Sequence, residues 1–246
     1  MIKELDKVFK KTGLYKASYI YIYSDFRIFF ENNKVNPEKK VSSFLNLFLN
    51  KGITCIIPAF SYTTNGEFHV ENTKSKVGFL ANYVMKNYQF ERSEHPIFSF
   101  VAIGKKRKIV KSVGKSAFGK KSVHSRLFNK KTFFLNFFRP LEKGNTLIHH
   151  IEQTENVNYR YDKKFSTIVF KNKKKLGNNF KAYVRKFINK KEHRFTFKKI
   201  IKRLIKEKFM IKAYVKNSHI FIYNYDFFYK YLRAALQKDR YIFINK

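Results

Sequence analysis

The fold is decided by residues 19–57, which open with the β-branched and aromatic run Tyr19-Ile20-Tyr21-Ile22-Tyr23. A run of this kind is typical of a buried strand. Asn36-Pro37 then marks a helix start, with an N-cap residue followed by proline at the first helical position, and Gly52 ends that helix. The apolar run Ile53–Ile57 is the next strand. The order strand, helix, strand predicts a parallel βαβ unit.

Apolar periodicity predicts the elements on either side of this unit. We expect a long polar loop over residues 58–76 and a Lys-rich loop or surface helix over residues 105–121. Further helices are expected at residues 2–9, 77–87, after 196 and at 227–236, and further strands at 98–103, 132–138, 165–170, 180–187, 210–215 and 219–223. The sequence predicts one α/β domain over residues 1–246, with a central, largely parallel or mixed sheet and helices on both faces.

The composition indicates a soluble, cytoplasmic protein. Hydrophobic residues make up 44% of the 246, enough for a packed core, yet no apolar run is long enough to span a bilayer. The first residues lack the apolar segment of a secretory signal. The single cysteine, Cys55, excludes an intrachain disulfide framework and fits a reducing compartment. Because Cys55 lies in an apolar run, a buried strand position is favoured over a nucleophile.

The formal net charge of +36 has two interpretations. An excess of basic residues, most of it after residue 100, indicates a polyanionic partner such as a nucleic acid, an anionic membrane or a phosphorylated small molecule. An AT-rich coding sequence would also produce the abundant Lys, Asn, Ile, Phe and Tyr. Interleaved aromatics such as Tyr159-Arg160-Tyr161 keep a nucleic-acid-binding protein open as an alternative of another class.

Several well-known signatures are missing from the sequence. It contains no CxxC or HExxH, so nothing supports a zinc site, and we expect no metal. It has no GxGxxG, no P-loop and no G-x-S-x-G elbow.

Five segments follow one another in an order that resembles the aminoglycoside 3-N-acetyltransferase family. They are Tyr21–Phe26, Pro58–Ser61, Thr73–Gly78, Arg92–Gly104 and Asn145–Glu152. The most specific is the fourth, which matches the family pattern Arg-Ser-x-His-Pro-x-x-Ser-x-x-Ala-x-Gly. The resemblance covers nearly the whole chain and includes its closing helix. Within the family, the chain resembles the sugar N-acyltransferase branch. It implies acetyl-CoA or another acyl-CoA as co-substrate.

His149 and Glu152 are the candidate catalytic residues. Acyl transfer to an amine needs a neutral nucleophile, and a histidine of near-neutral pKa can remove the proton. Residues three apart share one helix face, so Glu152 can orient the imidazole or hold the incoming ammonium. The resemblance implies that His149 is the base. The neighbouring His150 points about 100° away on a helix.

The resemblance also assigns binding residues. Ser24 follows a strand, where backbone N–H groups often receive phosphate, and the family places coenzyme A there. In the Ser24 segment, Tyr23 replaces the family's histidine and Asp25 its second serine, and the Pro58–Ser61 segment also lacks one of the family's hydroxyl groups. Asp25 is expected to cap a helix or contact the acceptor. The complete assignment is Ser24, Ser61, Arg92 and Ser93 for coenzyme A, and Asp25, Glu152, Thr146 and His95 for the acceptor.

The net charge of the chain favours one of the two classes of acceptor known in the family. Aminoglycosides are polycations and need an acidic cleft, but the chain has 17 acidic residues against 53 basic ones. A nucleotide-linked amino sugar is anionic and would be attracted. The sequence therefore favours an amino-sugar N-acyltransferase of surface glycan biosynthesis, with an aminoglycoside 3-N-acetyltransferase that confers resistance as the alternative.

Overall fold

The computed structural model describes residues 1–30, 36–143, 145–188, 191–192, 196–215 and 218–244. The helices are α1 (Ile2–Lys11), α2 (Phe26–Phe30), α3 (Pro37–Leu49), α4 (Phe79–Asn87), α5 (Val123–Leu127), α6 (Leu147–Thr154), α7 (Lys198–Lys206) and α8 (Tyr225–Lys238). The strands are β1 (Tyr19–Ser24), β2 (Thr54–Pro58), β3 (Glu67–His69), β4 (Glu91–Arg92), β5 (Phe100–Ile103), β6 (Thr132–Phe137), β7 (Arg160–Phe165), β8 (Ile168–Lys171), β9 (Lys174–Gly177), β10 (Phe180–Arg185), β11 (Phe187–Ile188), β12 (Lys191–Glu192), β13 (Met210–Val215) and β14 (Ser218–Asn224).

A seven-stranded mixed sheet forms the centre of the molecule, in the order β13-β14-β6-β1-β2-β5-β4. Its middle three strands are parallel, so that Tyr21 of β1 pairs with Ile56 of β2 and with Phe134 of β6. The outer strands are antiparallel to their neighbours. The predicted βαβ unit is confirmed as β1-α3-β2, and the Asn36 side chain caps α3 by accepting from Glu38 N at 2.8 Å.

Alternation along β1 distributes its side chains over two apolar layers. Tyr19, Tyr21 and Tyr23 lie in the layer with α6, α7 and α8. Ile20 and Ile22 lie in the opposite layer with α1, α3 and α4. Helices therefore cover both faces of the sheet, and the predicted fold class is confirmed. Cys55 is buried in β2 as a free thiol, as expected.

The region around residues 58–76 and 160–185 departs from the predicted pattern. The expected loop contains β3, which pairs with β8 in a small sheet completed by β9. Four strands, β7 to β10, replace the two that were expected. The missed strands β7 and β9 are rich in lysine and mostly exposed, so they lack the apolar alternation that marks a strand in sequence. None of the helices in the described residues is long and apolar enough to cross a membrane.

Candidate active site

Helix α6 is held against the carboxyl end of β1. The Asn145 side chain accepts from Leu147 N at 2.8 Å, at the first turn of the helix. The main-chain N–H of Thr146 donates to the Tyr23 hydroxyl at 3.0 Å, and the two side-chain hydroxyls lie 2.9 Å apart. Tyr23, which departs from the family pattern, therefore fixes where α6 begins.

His149 and Glu152 form a hydrogen-bonded pair on α6. The Nδ1 atom of His149 lies 2.9 Å from Oε2 of Glu152, on the shared helix face that the spacing predicted. The Glu152 side chain is fully buried, whereas the His149 side chain is 26% exposed. The carboxylate lies behind the imidazole, and only the imidazole reaches the surface of a cleft.

Two residues that the sequence analysis did not assign complete this pair. The Tyr159 hydroxyl donates to Oε1 of Glu152 at 3.0 Å. The Nε atom of Arg160 lies 2.8 Å from Oε2 of Glu152, and its Nη2 atom lies 3.1 Å from Nδ1 of His149. The Tyr159-Arg160 segment, considered above for nucleic-acid binding, is thus buried against the dyad.

The surroundings define the protonation state of the dyad. Burial alone would raise the pKa of Glu152, but the Arg160 guanidinium and the hydrogen bond from His149 together hold it below its ordinary value. Burial, followed by the positive charge of Arg160, lowers the pKa of His149 against the opposing effect of Glu152. An ionised carboxylate can only accept, so the shorter contact, to Glu152, assigns the proton to Nδ1 and leaves Nε2 as the acceptor. Arg160 Nη2 cannot then donate to Nδ1 and acts on the imidazole through its charge.

A cleft of about 260 Å³ opens beside His149. We call it the dyad cleft, and it is lined by Tyr23, Phe60, Tyr62, Phe98, Arg139, Lys143, Asn145, Thr146, His149 and Arg185. It shares Tyr23, Phe60, Tyr62 and Arg139 with a second cleft of about 210 Å³, called the Ser24 cleft, which extends to Ser24 and Gly78. The two form one groove across the carboxyl ends of β1 and β2.

The Ser24 cleft has the features of an anion site. Gly78, with φ of +69°, leads into α4, whose first N–H groups have no side-chain cap. A helix N-terminus of this kind favours phosphate. Arg139 lies in the wall of the same cleft, and Arg27 and Lys143 line its outer continuation. Ser24, predicted as a coenzyme A ligand, lies at this position.

Asp25 lies at the outer end of the groove and begins α2. Its Oδ1 accepts from Arg27 N at 3.2 Å and from Arg27 Nε at 2.9 Å. The hydrogen bond from the Arg27 side chain is the main cause that lowers the pKa of Asp25, although burial opposes it. Of the two roles considered for Asp25, this geometry fits the helix cap.

Three predicted coenzyme ligands lie away from the groove, in a buried network. The Ser61 hydroxyl donates to the carbonyl of Pro96, and that of Ser93 accepts from Phe100 N at 2.9 Å. Arg92, 1% exposed, donates to carbonyl groups of the 59–73 segment and to Ser99 Oγ at 3.0 Å. These contacts hold loops together, and coenzyme binding by these residues has no geometric support.

His95 is also held away from the cleft. Its Nδ1 accepts from Ile97 N and Phe98 N, each at 3.2 Å, and its Nε2 donates to the Lys181 carbonyl at 3.1 Å. Burial lowers the pKa of His95 to about 4, against the hydrogen bond to Lys181. A buried neutral histidine with both nitrogens occupied links two loops and offers nothing to an acceptor.

Thr146 is the predicted acceptor residue, besides Glu152, that lies beside His149. Its hydroxyl lies 3.0 Å from His124 Nε2 and 3.3 Å from the Tyr21 hydroxyl, in a buried polar network beneath the dyad cleft. His150 faces away from that cleft, as its position on the helix predicted, and hydrogen-bonds through Nδ1 to the Phe118 carbonyl. No group of His, Cys, Asp and Glu within the described ranges could hold a metal ion.

Comparison with known proteins identifies the family of the chain. The family profile of aminoglycoside 3-N-acetyltransferases matches residues 53–237. The chain therefore belongs to that family, and it is an acyl-CoA-dependent N-acetyltransferase whose co-substrate is acetyl-CoA. No curated protein matches the chain at the sequence level.

Solved structures share the fold at low identity. The apoenzyme of aminoglycoside acetyltransferase AAC(3)-IVa aligns with a TM-score of 0.77 at 16% identity, over 100% of this chain and 91% of its own. The binary complex of AAC-IIIb with CoASH aligns with a TM-score of 0.79 at 14% identity, over 97% and 96%. The YokD protein from Bacillus subtilis aligns with a TM-score of 0.73 at 13% identity, over 91% and 88%.

Proposed function

We propose that the protein acylates an amino group of an anionic amino sugar, of the nucleotide-linked kind used for surface glycans. His149 acts as the general base, and residues 1–246 act as one domain in the cytoplasm, consistent with apolar layers that draw on both ends of the chain and with a free buried cysteine. The charge of the dyad cleft is the observation that carries this choice of acceptor.

The dyad supports direct transfer. Nε2 of His149 accepts the proton of the amine as its nitrogen attacks the thioester carbonyl. A C–N bond forms, the C–S bond breaks, and coenzyme A leaves as the thiol after protonation. The Glu152 carboxylate accepts from Nδ1 and stabilises the imidazolium that forms. Since Glu152 is fully buried and already bonded to Tyr159, this geometry supports the orienting role over capture of the ammonium.

Basic side chains line the dyad cleft. Three of its lining residues, Arg139, Lys143 and Arg185, are basic, and the lining side chains that the structure describes include no carboxylate. The charge of Glu152 behind them is compensated by Arg160. A polycation entering this cleft meets repulsion, whereas a diphosphate or another anionic group next to the sugar is attracted.

An aminoglycoside is the second candidate acceptor. The family itself favours it, and two related structures of low identity contain such ligands: a mutant of AAC(3)-IVa in complex with a gentamicin, and AAC-VIa with sisomicin bound. The basic lining of the dyad cleft supports the anionic sugar over the aminoglycoside.

A side-by-side assay of coenzyme A release tests the choice. Aminoglycosides and nucleotide-linked 3-amino sugars are supplied as acceptors with acetyl-CoA, and we expect turnover of the anionic sugars, weakening as salt is added. Efficient turnover of aminoglycosides with none of the sugar nucleotides would refute the proposal.

Charge reversal sharpens the same test. The double variant Lys143→Glu/Arg185→Glu should lower kcat/KM for sugar nucleotides by roughly tenfold or more and improve it for aminoglycosides. The matched control is Lys212→Glu on the exposed face of β13, which should leave the ratio between the two acceptors unchanged.

A further inference from the structure

Arg160 contacts both members of the dyad from a different element. It is the first residue of β7, and its side chain is 4% exposed. Its Nε and Nη2 atoms lie 2.8 Å from Glu152 Oε2 and 3.1 Å from His149 Nδ1, and its Nη1 donates to the Tyr183 carbonyl of β10 at 3.0 Å. The guanidinium is anchored at both ends, so its charge has a fixed position beside the imidazole.

This arrangement places two potential cations around one carboxylate. With Arg160 present, Glu152 is already neutralised, and protonation of His149 would leave an uncompensated positive charge in a largely buried site. Without Arg160, the same carboxylate would favour the imidazolium. The protonation state of His149 therefore depends on a residue outside the pair.

The other charges facing His149 act mostly in the same direction. Arg185 of β10 lowers the pKa of His149 after burial and Arg160, while only Glu152 raises it. Arg139 and Lys143 lie across the dyad cleft and are cationic. Behind α6, burial lowers the pKa values of His124 and His150, so both are neutral and add no charge near neutral pH.

We propose that Arg160 is a positioning residue that keeps the His149 imidazole neutral and able to accept a proton into the mildly acidic range. Because Arg160 already pairs with Glu152, this carboxylate is not available to bind the ammonium group of an acceptor. The proposal rests on His149 acting as the base of the proposed function, but its electrostatic content can be measured without any acceptor.

The test is an NMR titration of the His149 ring in the free protein, with its signal assigned by loss in His149→Gln. Arg160→Gln should shift the titration of His149 to higher pH. Arg160→Lys keeps the charge, so its titration should stay near that of the wild type even if the altered geometry lowers kcat. The matched control is Arg203→Gln, a substitution of an exposed arginine on α7 that should leave the titration unchanged.

The acid limb of the pH profile of kcat/KM provides a second measurement. It should move to higher pH in Arg160→Gln along with the NMR titration. A titration that stays in place in Arg160→Gln, with a uniform loss of rate at all pH values, would reduce Arg160 to a structural role and overturn the proposal. A titration that shifts in a protein inactive on every amino sugar and aminoglycoside would uphold Arg160 and count against the proposed function alone.

Discussion

Two segments carry the family resemblance most clearly, Arg92–Gly104 and Asn145–Glu152, and each contains a histidine. His95 in the first has both ring nitrogens hydrogen-bonded to the main chain. His149 in the second has Nδ1 engaged by Glu152, and its side chain reaches the dyad cleft. The sequence alone does not separate the two segments, because each combines a histidine with other polar residues. The comparison teaches that a histidine whose two ring nitrogens are both hydrogen-bonded indicates a structural segment. A histidine with one ring nitrogen facing a cleft is instead the candidate for chemistry.

The largest expected effect is that of His149→Ala on catalysis. Removing a general base lowers kcat by about 10²–10⁴-fold, and the affinity for coenzyme A should change little. The residual rate should increase with pH, because solvent must then deprotonate the amine. Steady-state kinetics with acetyl-CoA over a range of pH measures the loss of kcat and the pH dependence of the residual rate.

The control for this experiment is the next residue. His150→Ala should cost far less in kcat, since that ring bonds to the Phe118 carbonyl away from the cleft. If His149→Ala kept more than about a third of the wild-type kcat, the loss would be too small for a general base and the assignment would be wrong.

The counterpart is His95→Ala, whose main effect should be on stability. The substitution leaves buried donors and acceptors unsatisfied and opens a cavity, at a cost of roughly 2–5 kcal/mol in the free energy of unfolding. Denaturant titration measures this loss, and kcat per folded molecule should stay near the wild-type value. A large loss of kcat in a stably folded His95→Ala protein would make this segment part of the chemistry.

Binding of acetyl-CoA should stabilise the protein and slow hydrogen exchange to different extents in the two segments. At 100 times its Kd the ligand stabilises the folded state by about 2.7 kcal/mol, seen as a higher melting temperature. Hydrogen exchange should slow at the end of β1 and at the start of α4 and α6, which border the groove, more than in residues 92–104. The absence of any melting shift at millimolar coenzyme A would contradict the assignment of the groove.

The remaining prediction concerns acid stability. The pKa of His95 is about 4 in the folded protein, against about 6.5 in an unfolded chain, so the unfolded state binds its proton first. The stability contributed by neutral His95 is present above about pH 6.5 and is lost as pH falls toward 4. Thermal melts between these limits should show a shallower pH dependence in His95→Ala. Equal slopes would mean that other groups dominate.

Much of the fold could be predicted from the sequence because its core elements are strongly apolar. The run Tyr19–Tyr23 and the cap at Asn36 each correspond to a single local structure. Strands β7 and β9 could not be predicted, since their stability comes from pairing with β10 and β8 and not from their own side chains. The dyad pair was predicted because the family resemblance singles out His149, and three-residue spacing then places Glu152 on the same helix face.

The rest of the site depends on contacts between distant parts of the chain. Tyr23 meets Thr146, and Arg160 meets Glu152 from a neighbouring strand, and no local pattern encodes either meeting. Arg139, Lys143 and Arg185 are individually indistinguishable from the many surface cations of this sequence. Only their convergence on one cleft gives them a shared role.

The parallel pairing of β1 has a consequence for the newborn chain. Its partner β2 follows after α2 and α3, but its other partner β6 begins only at residue 132. At synthesis rates of roughly 5–20 residues per second, one edge of β1 waits on the order of ten seconds for its neighbour. That edge carries unpaired main-chain groups beside the tyrosines of the candidate active site. We therefore expect a pause in synthesis before β6 emerges to lengthen the time for which this edge is open to aggregation.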